Sequence, residues 1–164
     1  MTRNEFLQQA VAAAAAASAV SGFSPGITVA QAALESAWGQ SRLSREANNY
    51  FGIKALARYD RIAMPTFEIE GGVRKAVTTW FARFPSMTEC FLARDRLIAG
   101  GAMFAEARAA KADAEQFTRA LARHWATDPA YADKVLAIYR RFQLHTTVPP
   151  DRSAVEIHLQ KEIQ

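Results

Sequence analysis

The chain of 164 residues contains a single cysteine, Cys90, which excludes an internal disulfide and any cluster of thiolate metal ligands. A lone cysteine of this kind reads as a small apolar core residue on a helix in preference to a reactive nucleophile. Histidine is nearly as scarce. His124, His145 and His158 stand at no ligand spacing to one another or to Cys90, so neither a metal nor a cofactor is expected. No phosphate-binding loop occurs, because the Gly71-Gly72 and Gly100-Gly101 pairs lack a following Lys-Ser/Thr. Charge of both signs is missing from one long stretch: between Glu5 and Arg42 the only charged side chain is Glu35. That stretch is still no membrane span, since Ser18, Ser21, Gly22, Ser24, Pro25 and Gly26 interrupt it. The net charge of +4 is spread over scattered arginines without a basic stripe, which argues against nucleic acid and suits an anionic polymer.

What remains is a half-apolar composition with 22% charged residues, that of one soluble domain with its own core. Residues 1–146 are expected to form that domain. The charged tail beyond Val148-Pro149-Pro150, residues 147–164, reads as a short extension, and a monomer is assumed. The alanine run Ala10 to Val20 has the look of a secretory h-region behind Arg3, but Glu5 weakens the basic flank and alanine is the strongest helix former. A domain helix is the favoured reading, with Phe6, Val11 and Val20 among small residues that permit close packing.

Gly22 to Gly26 reads as a turn, and Ile27 to Trp38 as a helix stopped by Gly39. Ser41 to Ala47 is a short helix ended by Asn48-Asn49. Ile62 to Phe84 holds two β-rich runs hinged at Gly71-Gly72, the signature of a hairpin with a tight primed turn. In its first arm Phe67 and Ile69 alternate with Glu68 and Glu70, so period two separates apolar from acidic positions. Ser86 with Glu89 opens a helix through Ile98, Ala102 to about Ala110 is helical, and Asp113 with Gln116 opens a helix through Trp125. Asp128 as N-cap with Pro129 at the first position opens the last helix, which keeps helical spacing to Phe142. The sum is an α+β fold, mostly α, with one inserted β-hairpin.

Glu35 is the residue that carries chemistry. A carboxyl without a salt-bridge partner in apolar surroundings tends to stay protonated, and the end of a helix, where the macrodipole is negative, pushes its pKa the same way. A protonated carboxyl at neutral pH is a general acid. The competing reading is an ordinary solvent-facing helix glutamate. An acid at a helix end facing a hairpin with two further acids is the layout that cleaves a glycosidic bond, where one carboxyl donates a proton and a second group handles the oxocarbenium-like centre. Trp38, Tyr50, Phe51, Trp80, Trp125 and Tyr131 are candidate apolar platforms for sugar rings, each also an ordinary core residue.

Three separated blocks make the pattern specific: A-Q-A-A-L-E-S-A-W-G-Q-S at 30–41, A-N-N-Y-F-G-I-K at 47–54 and A-T-D-P-A-Y-A-D-K at 126–134. They resemble the signature blocks of the bacterial endo-β-N-acetylglucosaminidases of glycoside hydrolase family seventy-three, in the family's order. The resemblance implies a lysozyme-like domain that hydrolyses the bond between N-acetylglucosamine and N-acetylmuramic acid in peptidoglycan at the bacterial cell wall. It carries the catalytic acid onto Glu35 and the second acid onto Glu68, through Thr66, Glu68 and Gly72, with Glu70 as the alternative. Tyr131 becomes the cleft tyrosine. Gln31, Trp38, Asn49, Tyr50, Phe51, Glu70, Trp125 and Tyr131 are the expected substrate contacts. Ala37 stands where the family often has glycine, and His124-Trp125 departs from the residues usual before A-T-D-P. The rival readings are a lytic transglycosylase, a non-catalytic wall-binding module and an interaction protein with an incidental Glu35.

Overall fold

A computed structural model describes residues 1–146, with backbone only for Glu68, Ile69 and Glu70; the expected extension 147–164, with His158, lies outside the described residues. The first helix, α1 (Arg3–Ser21), is longer than the alanine run because Thr2 and Glu5 form a reciprocal capping box ahead of it. Ala10, Ala13, Ala14 and Ala17 recur at helical spacing and are buried with Phe6, so the run is an interior helix of the domain. Val20, by contrast, points to solvent. The alanine stripe packs against α2 (Pro25–Glu35) and α4 (Met87–Gly100), whose Cys90 and Ala93 are also small and buried. Cys90 is thus a core residue; its thiol accepts a hydrogen bond from Tyr50 N at 3.3 Å, and burial pushes its pKa up to about 12.

Ser24 caps α2, with Pro25 at its first position. A side chain at Gly26 would meet the carbonyl of Leu144 at 2.2 Å, so only glycine lets the turn at Leu144–Thr146 close over this helix. The helix ends at Glu35, three residues before the expected Trp38. Ala37, Trp38 and Gly39 all take left-handed φ values of 51°, 60° and 72°, and Trp38 N bonds to Ala33 O while Gly39 N bonds to Ser36 Oγ. Apolar periodicity continued through a tight reversal that glycine alone did not announce. Ser41 caps α3 (Arg42–Ala47), which Asn48 ends in the left-handed region.

Strands β1 (Asp60–Glu70) and β2 (Val73–Arg83) pair antiparallel from Asp60↔Arg83 to Glu70↔Val73. Gly71 and Gly72 join them at φ 59° and 79°, the two positive values that the expected primed turn needs. The 53–55 segment lies along β2, with Ala55 N donating to Trp80 O and Ala82 N to Ile53 O, and Lys54 opposite Phe81. Along the ribbon Met64 and Phe81 are buried on one face, whereas Arg61, Ala63, Pro65, Phe67, Arg74, Ala76, Thr78 and Trp80 are exposed on the other. Phe67 is 56% exposed, so this apolar position of the first arm is not on its covered side.

After α4, a short 3-10 turn (Ala102–Phe104) leads into α5 (Ala105–Ala109), then α6 (Ala114–Trp125), capped by Asp113 through Glu115 N and Gln116 N. Helix α7 (Tyr131–Arg141) begins two residues later than expected. Asp128 and Pro129 form a preceding turn, in which Asp128 Oδ1 accepts from Ala130 N, and Tyr131 is the first helical residue. The helices pack as α2 on α1 and α7, and α6 on α5 and α7. The fold is α+β, mostly helical, with one hairpin. No helix among the described residues is long and apolar enough to cross a membrane.

Candidate active site

The end of α2 delivers Glu35 to the edge of a cavity of about 340 Å³, lined also by Phe51, Gly52, Ile53, Lys54, Leu56, Leu97, His124 and Trp125. A larger cavity of about 430 Å³ lies elsewhere, between α5 and α6, but its Glu106 and Arg123 are already paired with each other. Size therefore does not choose the site; the chemistry of the lining does. Glu35 forms no ion pair among the described residues, and three side chains donate to a single oxygen of its carboxyl. Gln31 Nε2 reaches Oε1 at 3.1 Å, Trp125 Nε1 at 2.8 Å, and Tyr131 OH also bonds to it. Those donors come from the turn before Glu35, the end of α6 and the first residue of α7, so three elements converge on one atom.

Burial raises the pKa of Glu35 above that of an ordinary glutamate, opposed by the bonds from Tyr131, Gln31 and Trp125 and by the charge of Arg94. Burial is the largest of these effects, so the net shift is toward the neutral acid. With Oε1 accepting three donors, the proton of that acid belongs on Oε2, which accepts no hydrogen bond from the described residues. The Tyr131 phenol is pushed far above its usual range, by burial first and then by the neighbouring Glu35, so it remains a donor.

Arg94 stands behind this arrangement. It is fully buried, donates from Nε and Nη2 to Gln31 Oε1 at 3.0 and 2.8 Å, and from Nη1 to Thr28 Oγ1 and Asp95 Oδ1. With its oxygen held by the guanidinium, the Gln31 amide has its nitrogen turned toward Glu35. Asp95 in turn accepts from Ser21 Oγ at 2.6 Å, so every strong polar group of the cluster has a partner.

The arrangement of an enclosed carboxyl, three donors and aromatic walls can be set beside known proteins. A family model described as Glucosaminidase: Mannosyl-glycoprotein endo-beta-N-acetylglucosaminidase matches residues 11–144. The chain belongs to the glucosaminidase family. It is 33% identical over 141 residues to the exo-glucosaminidase LytG of Bacillus subtilis (strain 168), covering 82% of this chain and 50% of that protein. Among solved structures, the catalytic domain of the autolysin Auto from Listeria monocytogenes superposes with a TM-score of 0.81 at 25% identity, over 89% of this chain and 87% of that one. A C-terminally truncated glycoside hydrolase domain of FlgJ from Salmonella typhimurium gives 0.71 at 34% identity, over 87% and 98%. The chain spans half the length or less of the first curated relatives it matches.

Within this glucosaminidase domain, the residues expected at the site divide into four groups. Glu35, Phe51 and Trp125 line the cavity, with Phe51 and Trp125 edge to face at 6.3 Å. Gln31 and Tyr131 lie beneath it, buried, and reach it only through Glu35; Tyr131 does not protrude into the cleft, because as the first residue of α7 it points inward at the carboxyl. Trp38, Asn49 and Tyr50 are not at the cavity. Trp38 packs between Phe6 and Phe142 under the Arg3 guanidinium, and Tyr50 sits against Phe6 and Phe91. Asn49 holds the 49–53 loop to β2, donating to Ile53 O and Ala82 O and accepting from Ile53 N. Glu68 and Glu70 occupy the hairpin tip opposite Lys75 and Val73, and their side chains lie outside the described residues. Sequence reasoning missed Arg94. Its one legible signal was an Arg-Asp pair amid the buried pattern Cys90, Phe91, Ala93 and Ile98. Lys54, Leu56, Leu97 and His124 were also missed, and no local motif marks them.

Proposed function

We propose that the domain is a peptidoglycan hydrolase that acts at the cell wall and cleaves the β-1,4 bond between N-acetylglucosamine and N-acetylmuramic acid, with Glu35 as general acid. The observation that carries this reading is the carboxyl of Glu35 at the cavity edge, with three donors on Oε1 and Oε2 left to bear the proton. Glu35 Oε2 protonates the glycosidic oxygen as its bond to C1 of N-acetylglucosamine breaks, and the muramyl sugar leaves as an alcohol. Negative charge then develops on the carboxyl. Tyr131, Trp125 and Gln31 already point at it and stabilise that charge without reorganising.

The cationic centre at C1 is quenched by a water that loses its proton to Glu68, or by the acetamide oxygen of the substrate followed by water. Glu68 is the assigned second acid and Glu70 its alternative. Phe51 and Trp125 are the aromatic walls for the sugar rings. Residues 1–146 form the catalytic unit in this account and 147–164 a peripheral extension. The family membership, the hydrolase names of the relatives and the net charge of +4 support an anionic wall polymer as substrate. The test is clearing of purified sacculi by wild type and by Glu35→Gln, whose amide keeps the shape and cannot donate the proton. Loss of clearing with an unchanged fold is expected, and clearing near the wild-type rate removes Glu35 from the mechanism.

A further inference from the structure

The exposed face of the hairpin breaks the usual pattern of a one-sided antiparallel sheet, in which the solvent face is polar. Its described positions are Arg61, Ala63, Pro65, Phe67, Arg74, Ala76, Thr78 and Trp80: two large aromatics, two arginines and no acid. Trp80 is 49% exposed and Phe67 56%. Each aromatic has an arginine against it, the Arg61 guanidinium 4.6 Å from the Trp80 ring centre and that of Arg74 3.8 Å from Phe67. Phe67 is the ladder partner of Ala76, four residues along β2 from Trp80, which places the two pairs about 13 Å apart.

This face lies on the same side of the sheet as one wall of the cavity. Lys54 pairs with Phe81 and lays its ammonium over that ring, so the neighbouring positions Ile53 and Ala82 fall on the opposite side of the sheet, the side of Trp80. Ile53 is itself a wall of the Glu35 cavity. Ile53 and Ala82 are themselves buried, so the accessible track on this side begins at Trp80 with Arg61 and runs on to Phe67 with Arg74.

We propose that this track is a second binding surface for a peptidoglycan strand, which holds sugar rings on Trp80 and Phe67 and peptide-stem carboxylates on Arg61 and Arg74 beyond the bond being cut. The proposal rests on the peptidoglycan reading above and adds a contact outside the cavity. Exposed aromatic rings suit the apolar faces of sugars, and the paired arginines give the face a positive charge that complements an anionic strand. Neither pair touches the Glu35 cluster, so the track governs the grip on long strands and leaves the chemistry of bond cleavage alone.

The experiment compares purified sacculi with a short soluble glycan fragment of the same polymer as substrates. The variants are Trp80→Ser with Phe67→Ser, Arg61→Ser with Arg74→Ser, and the ring-preserving Trp80→Tyr with Phe67→Tyr. Both serine pairs are expected to lower kcat/KM on sacculi by about tenfold while leaving the short fragment within about twofold. The tyrosine pair should retain most activity on both, and the arginine contribution should vanish at high salt. Equal losses on both substrates would mean that the face serves only the hairpin's folding. Unchanged sacculus turnover, or a change of oligomeric state with no change in sacculus binding, would likewise overturn the proposal. A wild type that releases no glycan fragments would instead overturn the functional reading, and this one with it.

Discussion

Removing one hydroxyl, in Tyr131→Phe, tests the carboxyl cluster more finely than removing the acid. The phenol is one of three donors on Glu35 Oε1, and its bond opposes the effect of burial on that group. A hydrogen bond to a charged acceptor is worth about 1.5–3 kcal/mol and one to a neutral acceptor about 1 kcal/mol. The loss therefore falls more heavily on the carboxylate than on the acid, by about 0.5–2 kcal/mol, and moves the Glu35 pKa further up. A general acid works in its protonated form, so kcat/KM falls as pH rises through that pKa. In Tyr131→Phe the alkaline limb moves to higher pH, while the plateau drops by about tenfold because the developing carboxylate has lost a donor. The stability sign follows from the same shift. A carboxyl whose folded pKa lies above its unfolded one contributes stability that is full below the unfolded value and lost as pH rises through the folded value, so the variant loses that stability at higher pH than wild type. The measurements are the pH profile of kcat/KM on a soluble fragment and a carboxyl carbon NMR titration of Glu35. An alkaline limb that stays in place or moves down would refute the reasoning, and a lowered melting point with unchanged kinetics would leave Tyr131 a purely structural residue.

Ala37→Gly should stabilise the protein by about 0.5–1 kcal/mol in denaturant melts, because alanine at φ 51° costs about 1–2 kcal/mol and the added freedom of an unfolded glycine returns less than that; a destabilised variant would mean that Ala37 makes a contact of its own. Arg94→Met should cost about 3–5 kcal/mol, since it leaves Asp95 buried without its partner, and Arg94→Met combined with Asp95→Asn should recover much of the loss. In both Arg94 variants the alkaline limb of activity moves up, as a positive charge near Glu35 is gone and the Gln31 amide is free to turn. Glu68→Gln should lower turnover on the order of a hundredfold and Glu70→Gln much less; the reverse order would move the second acid along the strand, and two small effects would favour attack by the substrate's acetamide.

Much of this architecture is legible in the chain because local chemistry decides it. Gly71-Gly72 between β-rich runs specifies a two-residue primed turn, and Ser86 and Asp113 cap helices where a side-chain oxygen precedes apolar periodicity, whereas Ser24 caps α2, which starts two residues ahead of the expected Ile27. The errors arise where partners are distant. Helical spacing runs on to Trp38, yet the chain reverses after Glu35 through three left-handed residues; likewise Asp128-Pro129 resembles a helix start but forms a turn that lets Tyr131 face inward. Glu35 was recognisable from the emptiness around it. Arg94 was not, since its partners Gln31 and Thr28 lie more than sixty residues away and the Arg94-Asp95 pair within α4 names neither of them. Trp38, Tyr50 and Asn49 illustrate the converse, residues in motifs beside the acid that support the fold instead of lining the cavity.

The most direct test of the account is the identity of the ends created in peptidoglycan. Purified sacculi digested with the protein, reduced with borohydride and analysed by mass spectrometry should yield fragments whose reduced end is N-acetylglucosamine, each carrying one added water, with none above background from Glu35→Gln. Reducible muramic ends would place the cut on the other glycosidic bond, and anhydro-muramic ends lighter by one water would contradict hydrolysis while keeping Glu35 as the acid.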